Sequence, residues 1–218
     1  MSISYVLFDL DGTLMDPVEG ITNCVEYALK KFNICFSSRV ELYPYIGPPL
    51  VHSFMNFHGL SHDDAERAVA YYRERFSVKG WLENRVYEGA PELLQELQSR
   101  GVALMVATSK PEEFTNRILE HYNLAQYFTF VAGCTLSGLR PEKGDVIAYL
   151  IEKYPEINAD NCVMIGDRKY DVLGAHKCGL PVVGVLYGYG DRAEMEAVKA
   201  DFIVEDIQAL REWLIRRI

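Results

Sequence analysis

The feature that most constrains the fold of this chain is the alternation of short apolar runs with segments of helical character. The apolar runs are the strand candidates Ile3–Phe8, Val102–Ala107, Phe128–Val131, Cys162–Ile165, Val182–Leu186 and Phe202–Val204. Helical spacing, or helix start and stop signals, mark most of the segments between them. Apolar strands that alternate with helices predict an α/β fold, a Rossmann-like parallel sheet with helices on both faces.

The stretch that follows the first predicted strand has a different character. From about Asp16 to Asn84 the apolar residues recur at helical spacing, no strand candidate is present, and Pro44, Pro48 and Pro49 interrupt the pattern. We therefore predict a small α-helical domain, residues 16–84, inserted after the first strand. The α/β core would comprise residues 1–15 and 85–218.

Composition excludes several classes of partner. The chain has 218 residues, with 22 Lys and Arg against 31 Asp and Glu, which gives a formal net charge of −9. This acidity, without a basic cluster, argues against binding to nucleic acid or to an anionic membrane surface. No apolar run approaches the ~18 residues that cross a bilayer. With no secretory signal and no paired cysteine motif, we expect a cytoplasmic protein with reduced cysteines. The sequence leaves open whether the protein is a monomer or a homodimer.

Polar residues follow three of the predicted strands at the point where each ends. The segments are Asp9-Leu10-Asp11-Gly12-Thr13, Thr108-Ser109-Lys110 and Gly166-Asp167-Arg168-Lys169-Tyr170-Asp171. Ligands of open parallel sheets bind beyond the carboxyl ends of the strands, where these segments would meet. Gly12 permits the tight turn that would bring the first two carboxylates to one ligand. Four carboxylates and a hydroxyl are thus predicted at one sheet edge.

Four neighbouring carboxylates repel one another unless a cation neutralises them. Carboxylate oxygens with few nitrogen or sulfur ligands suit a hard ion, and Mg²⁺ shares its octahedral shell with water and phosphate. The sequence therefore predicts a Mg²⁺ site. For the Asp167–Asp171 segment alone, an ordinary helix N-terminus with first-turn acids is the alternative interpretation.

These segments, together with Lys143, resemble the four motifs of the haloacid dehalogenase-like hydrolase superfamily, in the order that is typical of the family. The resemblance covers essentially the whole chain, and the helical insertion resembles a small cap domain of that family. Two further stretches, Tyr87-Glu88-Gly89-Ala90-Pro91-Glu92-Leu93-Leu94 and Gly184-Val185-Leu186-Tyr187-Gly188-Tyr189-Gly190, resemble the phosphoglycolate phosphatase-like branch.

The resemblance implies a role for each motif residue. Asp9 would be the nucleophile, and Asp11 the general acid and then the general base. Thr108 and Lys143 would hold the phosphoryl oxygens. The implied Mg²⁺ ligands are Asp9, Asp11 through its main-chain carbonyl, Asp167, and Asp171 directly or through water.

Some assignments stay open at this point. Arg140 and Lys110 are alternatives to Lys143 as the cation that binds phosphate. Ser109 would contact the phosphate through its main-chain NH, cap the helix before Pro111, or do both. Gly12 joins Thr108, Ser109 and Lys143 in the predicted substrate-binding set.

The resulting hypothesis is a Mg²⁺-dependent phosphatase of a small phosphorylated metabolite, of the phosphoglycolate type, that acts through an aspartyl-phosphate. A nucleotidase, a pyrophosphatase or a sugar phosphomutase on the same scaffold are the alternatives, followed by a non-catalytic binding module. A dehalogenase would not need Asp11 or the Mg²⁺ ligands. A phosphonate hydrolase would require a Schiff-base lysine, for which Lys30, Lys31 and Lys79 are available.

Overall fold

A computed structural model describes residues 2–218. The strands are β1 (Tyr5–Phe8), β2 (Met15–Asp16), β3 (Arg85–Val86), β4 (Ala103–Pro111), β5 (Phe128–Cys134), β6 (Cys162–Gly166), β7 (Val182–Val185) and β8 (Phe202–Val204). The α-helices are α1 (Val18–Lys30), α2 (Leu50–His58), α3 (His62–Phe76), α4 (Ala90–Ser99), α5 (Glu112–His121), α6 (Lys143–Lys153), α7 (Lys169–Lys177), α8 (Arg192–Ala197) and α9 (Ile207–Ile215). Short 3-10 helices occupy Arg39–Tyr45, Gly80–Leu82 and Ala125–Tyr127.

The main sheet has six strands in the order β5-β4-β1-β6-β7-β8, and every neighbouring pair is parallel. The strands are apolar because both faces of the sheet are covered by helices in an α/β fold of this kind. The register aligns Phe8 with Val106 on one side and with Ile165 on the other. The residues that follow these three positions therefore reach the same edge of the sheet.

The predicted α/β fold is confirmed, and the strand and helix boundaries differ in detail. The main error concerns β4, which continues through Thr108, Ser109 and Lys110 to Pro111 instead of ending at Ala107. The pairing of β4 with β5 shifts register between Ala107 and Pro111, so the polar residues belong to an irregular strand end. Pro111 is the N-cap of α5, and the interpretation of Ser109 as that cap is wrong.

The contacts between residues divide the structure into two compact units. One consists of the residues up to Asp16 together with Val86–Ile218 and contains the six-stranded sheet. Its core is made by sheet residues such as Leu7, Met105 and Met164 and by helix residues such as Val146 and Val172, all fully buried.

The second unit, Pro17–Arg85, is helical. Ser61 starts α3 by accepting a hydrogen bond from the main-chain NH of Asp64 at 3.2 Å. Helices α1 and α2 both pack against α3. Tyr45 is buried with its ring edge-on to Phe54 at a centroid distance of 5.0 Å. An apolar core of its own thus holds this unit together.

Within residues 2–218, no helix has both the length and the apolar character needed to cross a membrane.

Candidate active site

The carboxyl end of β1 positions two aspartates. Asp9 follows the strand directly, and its Oδ1 accepts a hydrogen bond from the main-chain NH of Leu10 at 2.7 Å. A turn then reverses the chain, with the main-chain NH groups of Leu14 and Met15 both donating to the carbonyl of Leu10 at 2.9 Å. Gly12 takes a φ of +84° in this turn, a conformation that favours glycine. Asp9 and Asp11 are both buried as a result.

Lys143, the first residue of α6, is a buried cation that joins two of the acids. Its Nζ lies 2.8 Å from Oδ1 of Asp9 and 2.8 Å from Oδ1 of Asp171, and it donates to the carbonyl of Ala107 at 3.0 Å. Burial lowers the pKa of Lys143, but the two carboxylates more than offset it, and the pKa is raised overall. Lys143 is therefore charged at neutral pH.

Arg140, an alternative to Lys143, is engaged elsewhere. Its guanidinium lies 2.7 Å from Oε1 of Glu112 and donates to the carbonyl of Gly133 at 2.9 Å. These contacts secure the loop between β5 and α6, from which Lys143 enters the site.

Asp167 and Asp171 each accept a hydrogen bond from a main-chain NH group. One donor lies in the loop after β7, and the other is the N-cap residue of α7. The NH of Tyr189 donates to Oδ2 of Asp167 at 2.8 Å, and the NH of Arg168 donates to Oδ2 of Asp171 at 3.0 Å. Asp167 precedes α7, whereas Asp171 is the third residue of the helix. Both carboxyl groups are almost completely buried.

Asp9, Asp167 and Asp171 form a group that we call the acidic cluster. Each offers a carboxylate oxygen, and these oxygens all lie within 4.8 Å of one another. Oδ1 of Asp167 is buried and has no hydrogen-bond partner within residues 2–218. A buried carboxylate oxygen left without a donor is costly, and a cation would satisfy it. All the donors are hard oxygens, so the acidic cluster fits Mg²⁺.

Burial and mutual repulsion raise the pKa values of two carboxyl groups of the acidic cluster. Burial raises the pKa of Asp167 well above its usual range, and the charges of Asp171 and Asp9 raise it further. Burial likewise raises the pKa of Asp171 to about 6, although Lys143 acts in the opposite direction. The acidic cluster and Asp11 carry four carboxylates against the ammonium groups of Lys143 and Lys110. Two negative charges remain when all are ionised, as many as a divalent cation neutralises.

Asp11 makes a different contact from the acidic cluster. Its Oδ2 forms a buried ion pair with Nζ of Lys110, a residue near the end of β4. Burial raises the pKa of Asp11, and Lys110 only partly offsets the shift. Among residues 2–218, the carboxyl group of Asp11 is therefore not part of the acidic cluster.

The structure brings Thr108 into the same neighbourhood. Thr108 is buried, and its Oγ1 accepts a hydrogen bond from the main-chain NH of Lys110 at 3.3 Å. The hydroxyl proton is thereby left for donation to another acceptor. Ser109 is half-buried between the two in β4.

Sequence reasoning missed the role of the loop after β7. A Cβ on Gly188 would lie 2.4 Å from Cβ of Asp167 and 2.4 Å from the carbonyl oxygen of Gly12, so only glycine fits there. Besides its NH bond to Asp167, Tyr189 donates its hydroxyl to Oδ1 of Asp16. The Gly188-Tyr189-Gly190 pattern after a strand could have indicated this loop. Its contacts with Asp167 could not be predicted, because they depend on β7 lying beside β6 in the sheet.

The chain is similar to proteins of one known family. A family model described as haloacid dehalogenase-like hydrolase matches residues 6–185. A 5'-nucleotidase of Pseudomonas aeruginosa is 44% identical over 96% of this chain and 94% of its own length. A phosphoglycolate phosphatase of Vibrio parahaemolyticus is 28% identical over 96% of this chain and 95% of its own.

Two further relatives carry different names. The tyrosine-protein kinase PtkA of Mycobacterium tuberculosis is 37% identical over 91% of this chain, which spans 64% of the length of that relative. The crystal structure of a protein of Clostridium acetobutylicum, described as a predicted phosphatase, superposes with a TM-score of 0.96 at 44% identity, covering 99% of this chain and 100% of the other. The likeness extends over the helical unit as well as the sheet, and the matched range contains every residue of the acidic cluster. The chain therefore belongs to the haloacid dehalogenase-like hydrolase family.

Proposed function

We propose that this chain is a Mg²⁺-dependent phosphatase that hydrolyses a small phosphate monoester through an aspartyl-phosphate at Asp9. The observation that carries the proposal is the placement of Asp9 between hydrogen-bond donors and two other carboxylates. On one side, Lys143 and the NH of Leu10 hold its Oδ1. On the other, it shares the acidic cluster with Asp167 and Asp171. A carboxylate fixed in this way is a preorganised nucleophile.

The first half-reaction would use two aspartates. The carboxylate of Asp9 attacks phosphorus, the bond from phosphorus to the ester oxygen breaks, and the ester oxygen leaves with the electron pair. The carboxyl group of Asp11 gives its proton to that oxygen, so the product is an alcohol. The hydroxyl of Thr108 and the ammonium of Lys143 stabilise the charge on the phosphoryl oxygens.

The second half-reaction returns the enzyme to its starting state. Water attacks phosphorus and gives a proton to the carboxylate of Asp11. The bond from phosphorus to Asp9 breaks, which releases inorganic phosphate and regenerates both side chains. The raised pKa of Asp11 suits a group that must both donate and accept a proton.

Asp9, Asp167 and Asp171, with the main-chain carbonyl of Asp11, would hold the Mg²⁺. When bound, the ion would neutralise the carboxylates and stabilise the negative charge on the phosphoryl group. Without it, the acidic cluster would repel a phosphate ester. This requirement supports a strict dependence on a divalent cation.

Two substrate classes are supported by the relatives. The 44% identical relative named 5'-nucleotidase favours a nucleoside 5'-monophosphate. The 28% identical relative named phosphoglycolate phosphatase favours a small phosphorylated carboxylic acid, the class that the sequence motifs predict. We propose the nucleotide class first, because the identity over nearly equal coverage is higher.

The test is a phosphate-release assay over both classes, with Mg²⁺ and with a chelator. We expect turnover only with Mg²⁺, and loss of at least ~10³-fold in Asp9→Asn, which removes the nucleophile. Asp160→Asn is the matched control, since Asp160 is an exposed loop residue. Full turnover in chelator or in Asp9→Asn would overturn the mechanism. Phosphoryl transfer to an added alcohol or sugar in place of water would redirect the proposal to a phosphotransferase.

A further inference from the structure

Lys110 is a buried cation to which the proposed reaction assigns no task. Its side chain is only 6% exposed, and its Nζ contacts Oδ2 of Asp11. Its main-chain NH donates to the hydroxyl of Thr108 at 3.3 Å. One residue is thus bonded to two groups of the site through different atoms.

The two carboxyl oxygens of Asp11 have different surroundings. Oδ2 is held by Lys110, whereas Oδ1 is buried and has no hydrogen-bond partner among residues 2–218. A buried carboxyl oxygen without a partner is costly, so its persistence calls for an explanation. A substrate oxygen or a water molecule that exchanges a proton with Oδ1 would supply the missing partner.

We propose that Lys110 is a positioning residue that fixes Asp11 through Oδ2, so that Oδ1 is the atom that transfers the proton. This inference rests on the proposed function. Oδ1 gives its proton to the ester oxygen as the phosphorus–oxygen bond breaks, and later takes a proton from the attacking water. Lys110 takes no part in the proton transfer and acts only on the orientation of the carboxyl group.

The dependence on the leaving group distinguishes this role from others. An alkoxide is a poor leaving group and needs the proton, whereas p-nitrophenolate leaves readily without it. A misplaced Asp11 would therefore slow alkyl phosphates much more than p-nitrophenyl phosphate. A purely structural role, or direct binding of the phosphoryl group by Lys110, would slow both to a similar extent.

The experiment compares Lys110→Met with the unmodified protein. The parameter is kcat/KM, which reports the steps up to transfer of the phosphoryl group to Asp9 and excludes the later hydrolysis. For an alkyl phosphate we expect a loss of about 10²-fold, the size expected when a catalytic group is displaced by about 1 Å. For p-nitrophenyl phosphate we expect a loss of less than about threefold, since the acid contributes little there. Inhibition by inorganic phosphate should be unchanged.

Further variants keep the test decisive. In an Asp11→Asn background the carboxyl group is absent, so adding Lys110→Met should cost no more than about threefold with any ester. Lys110→Arg keeps a cation near Asp11 and should recover part of the alkyl phosphate activity. If Lys110→Met fails to fold, Lys110→Arg and Lys110→Gln take its place, with Gln expected to show the larger selective loss. Lys153→Met, at an exposed position on α6, is the control for loss of a lysine.

The outcomes separate this inference from the proposed function. Equal losses for both classes of ester, or a further large loss in the Asp11→Asn background, would overturn the positioning role while leaving the phosphatase in place. A Lys110→Met protein that binds inorganic phosphate more weakly would assign Lys110 to the phosphoryl group instead. If the unmodified protein hydrolyses none of the esters with Mg²⁺, the proposed function itself fails, and the inference with it.

Discussion

Substitution of Lys143 by methionine should destabilise the fold in a way that depends on pH. Methionine keeps most of the length of the side chain but removes the ammonium group, which lies 2.8 Å from Asp9, 2.8 Å from Asp171 and 3.0 Å from the carbonyl of Ala107. The two carboxylates would remain buried without that counter-charge. The effect is therefore electrostatic and not a matter of lost volume.

The expected magnitude follows from burial. The side chains of Lys143 and Asp171 are 3% and 1% exposed, so solvent screens their ion pair very little. Removing one partner of such a pair costs about 3–5 kcal/mol. Lys177 and Asp145 form a control pair, 3.2 Å apart, in which the lysine is 66% exposed. Lys177→Met should cost no more than about 1 kcal/mol.

The sign of the pH dependence follows from Asp171. The pKa of its carboxyl group is about 6 in the folded protein, above that in the unfolded chain. Asp171 therefore binds a proton more readily in the folded state than in the unfolded state. A raised carboxyl pKa gives stability that is present at low pH and is lost as the pH rises through about 6. Loss of Lys143 raises this pKa further. The stability deficit of Lys143→Met should thus be largest at about pH 8 and smaller at about pH 5.5.

The assay is urea denaturation of both variants and of the unmodified protein, in chelator, at the two pH values. Chelator is needed because a bound divalent cation would neutralise the same carboxylates. A deficit of less than about 1 kcal/mol at the higher pH would contradict the expected cost of the buried pair, because the pair would then behave like an exposed one. A deficit that does not change with pH would refute the role given to the buried carboxylates.

Three other measurements bear on the site and on the helical unit. Mg²⁺ should raise the melting temperature more at about pH 8 than at about pH 5.5, because Asp171, whose pKa is about 6, must lose its proton to bind the ion; an equal shift at both values would contradict this. In Gly12→Ala, the new Cβ would lie 2.0 Å from a carboxylate oxygen of the acidic cluster, so activity and the Mg²⁺-induced shift should both be lost. Gly59→Ala is its control. The φ angle of Gly59 is also positive, at +64°, but no atom of the described residues lies within 4 Å of the added Cβ, so activity should persist. Arg75→Met removes two bonds to Glu83, at 2.7 and 2.8 Å, and should lower stability in urea by about 1–2 kcal/mol. Because Arg75 lowers the pKa of Glu83, this deficit should shrink as the pH falls through the titration range of that carboxyl group.

Much of the fold could be predicted because the local signals agree with the global arrangement. The run Val182–Leu186 is apolar because the strand is buried on both faces, and the strand in the structure ends at Val185. The ends of β4 were harder to place. Thr108, Ser109 and Lys110 are polar residues typical of a loop, yet strand pairing carries the chain on to Pro111. Tertiary context outweighed composition at that point.

The candidate site was predictable in part for a related reason. Parallel strands end at one edge, so the order of polar segments indicated that Asp9, Thr108 and Asp167 would converge. Which lysine meets which acid could not be read in this way. Lys110 reaches Asp11 across 99 positions of sequence, and Lys143 reaches the acidic cluster from the start of α6. Such pairings depend on side-chain direction and helix placement, which no spacing in the sequence specifies.

In the proposed reaction, the phosphoryl group is transferred to Asp9 before it reaches water. An acyl phosphate is reduced by borohydride, which would convert Asp9 to homoserine in protein quenched during turnover with substrate and Mg²⁺. Peptide mass spectrometry then identifies which residue has been reduced. We expect homoserine at position 9, dependent on substrate and on the divalent cation, and absent from Asp9→Asn. Turnover without any reduced residue at position 9, or with the reduced residue at another aspartate, would contradict it.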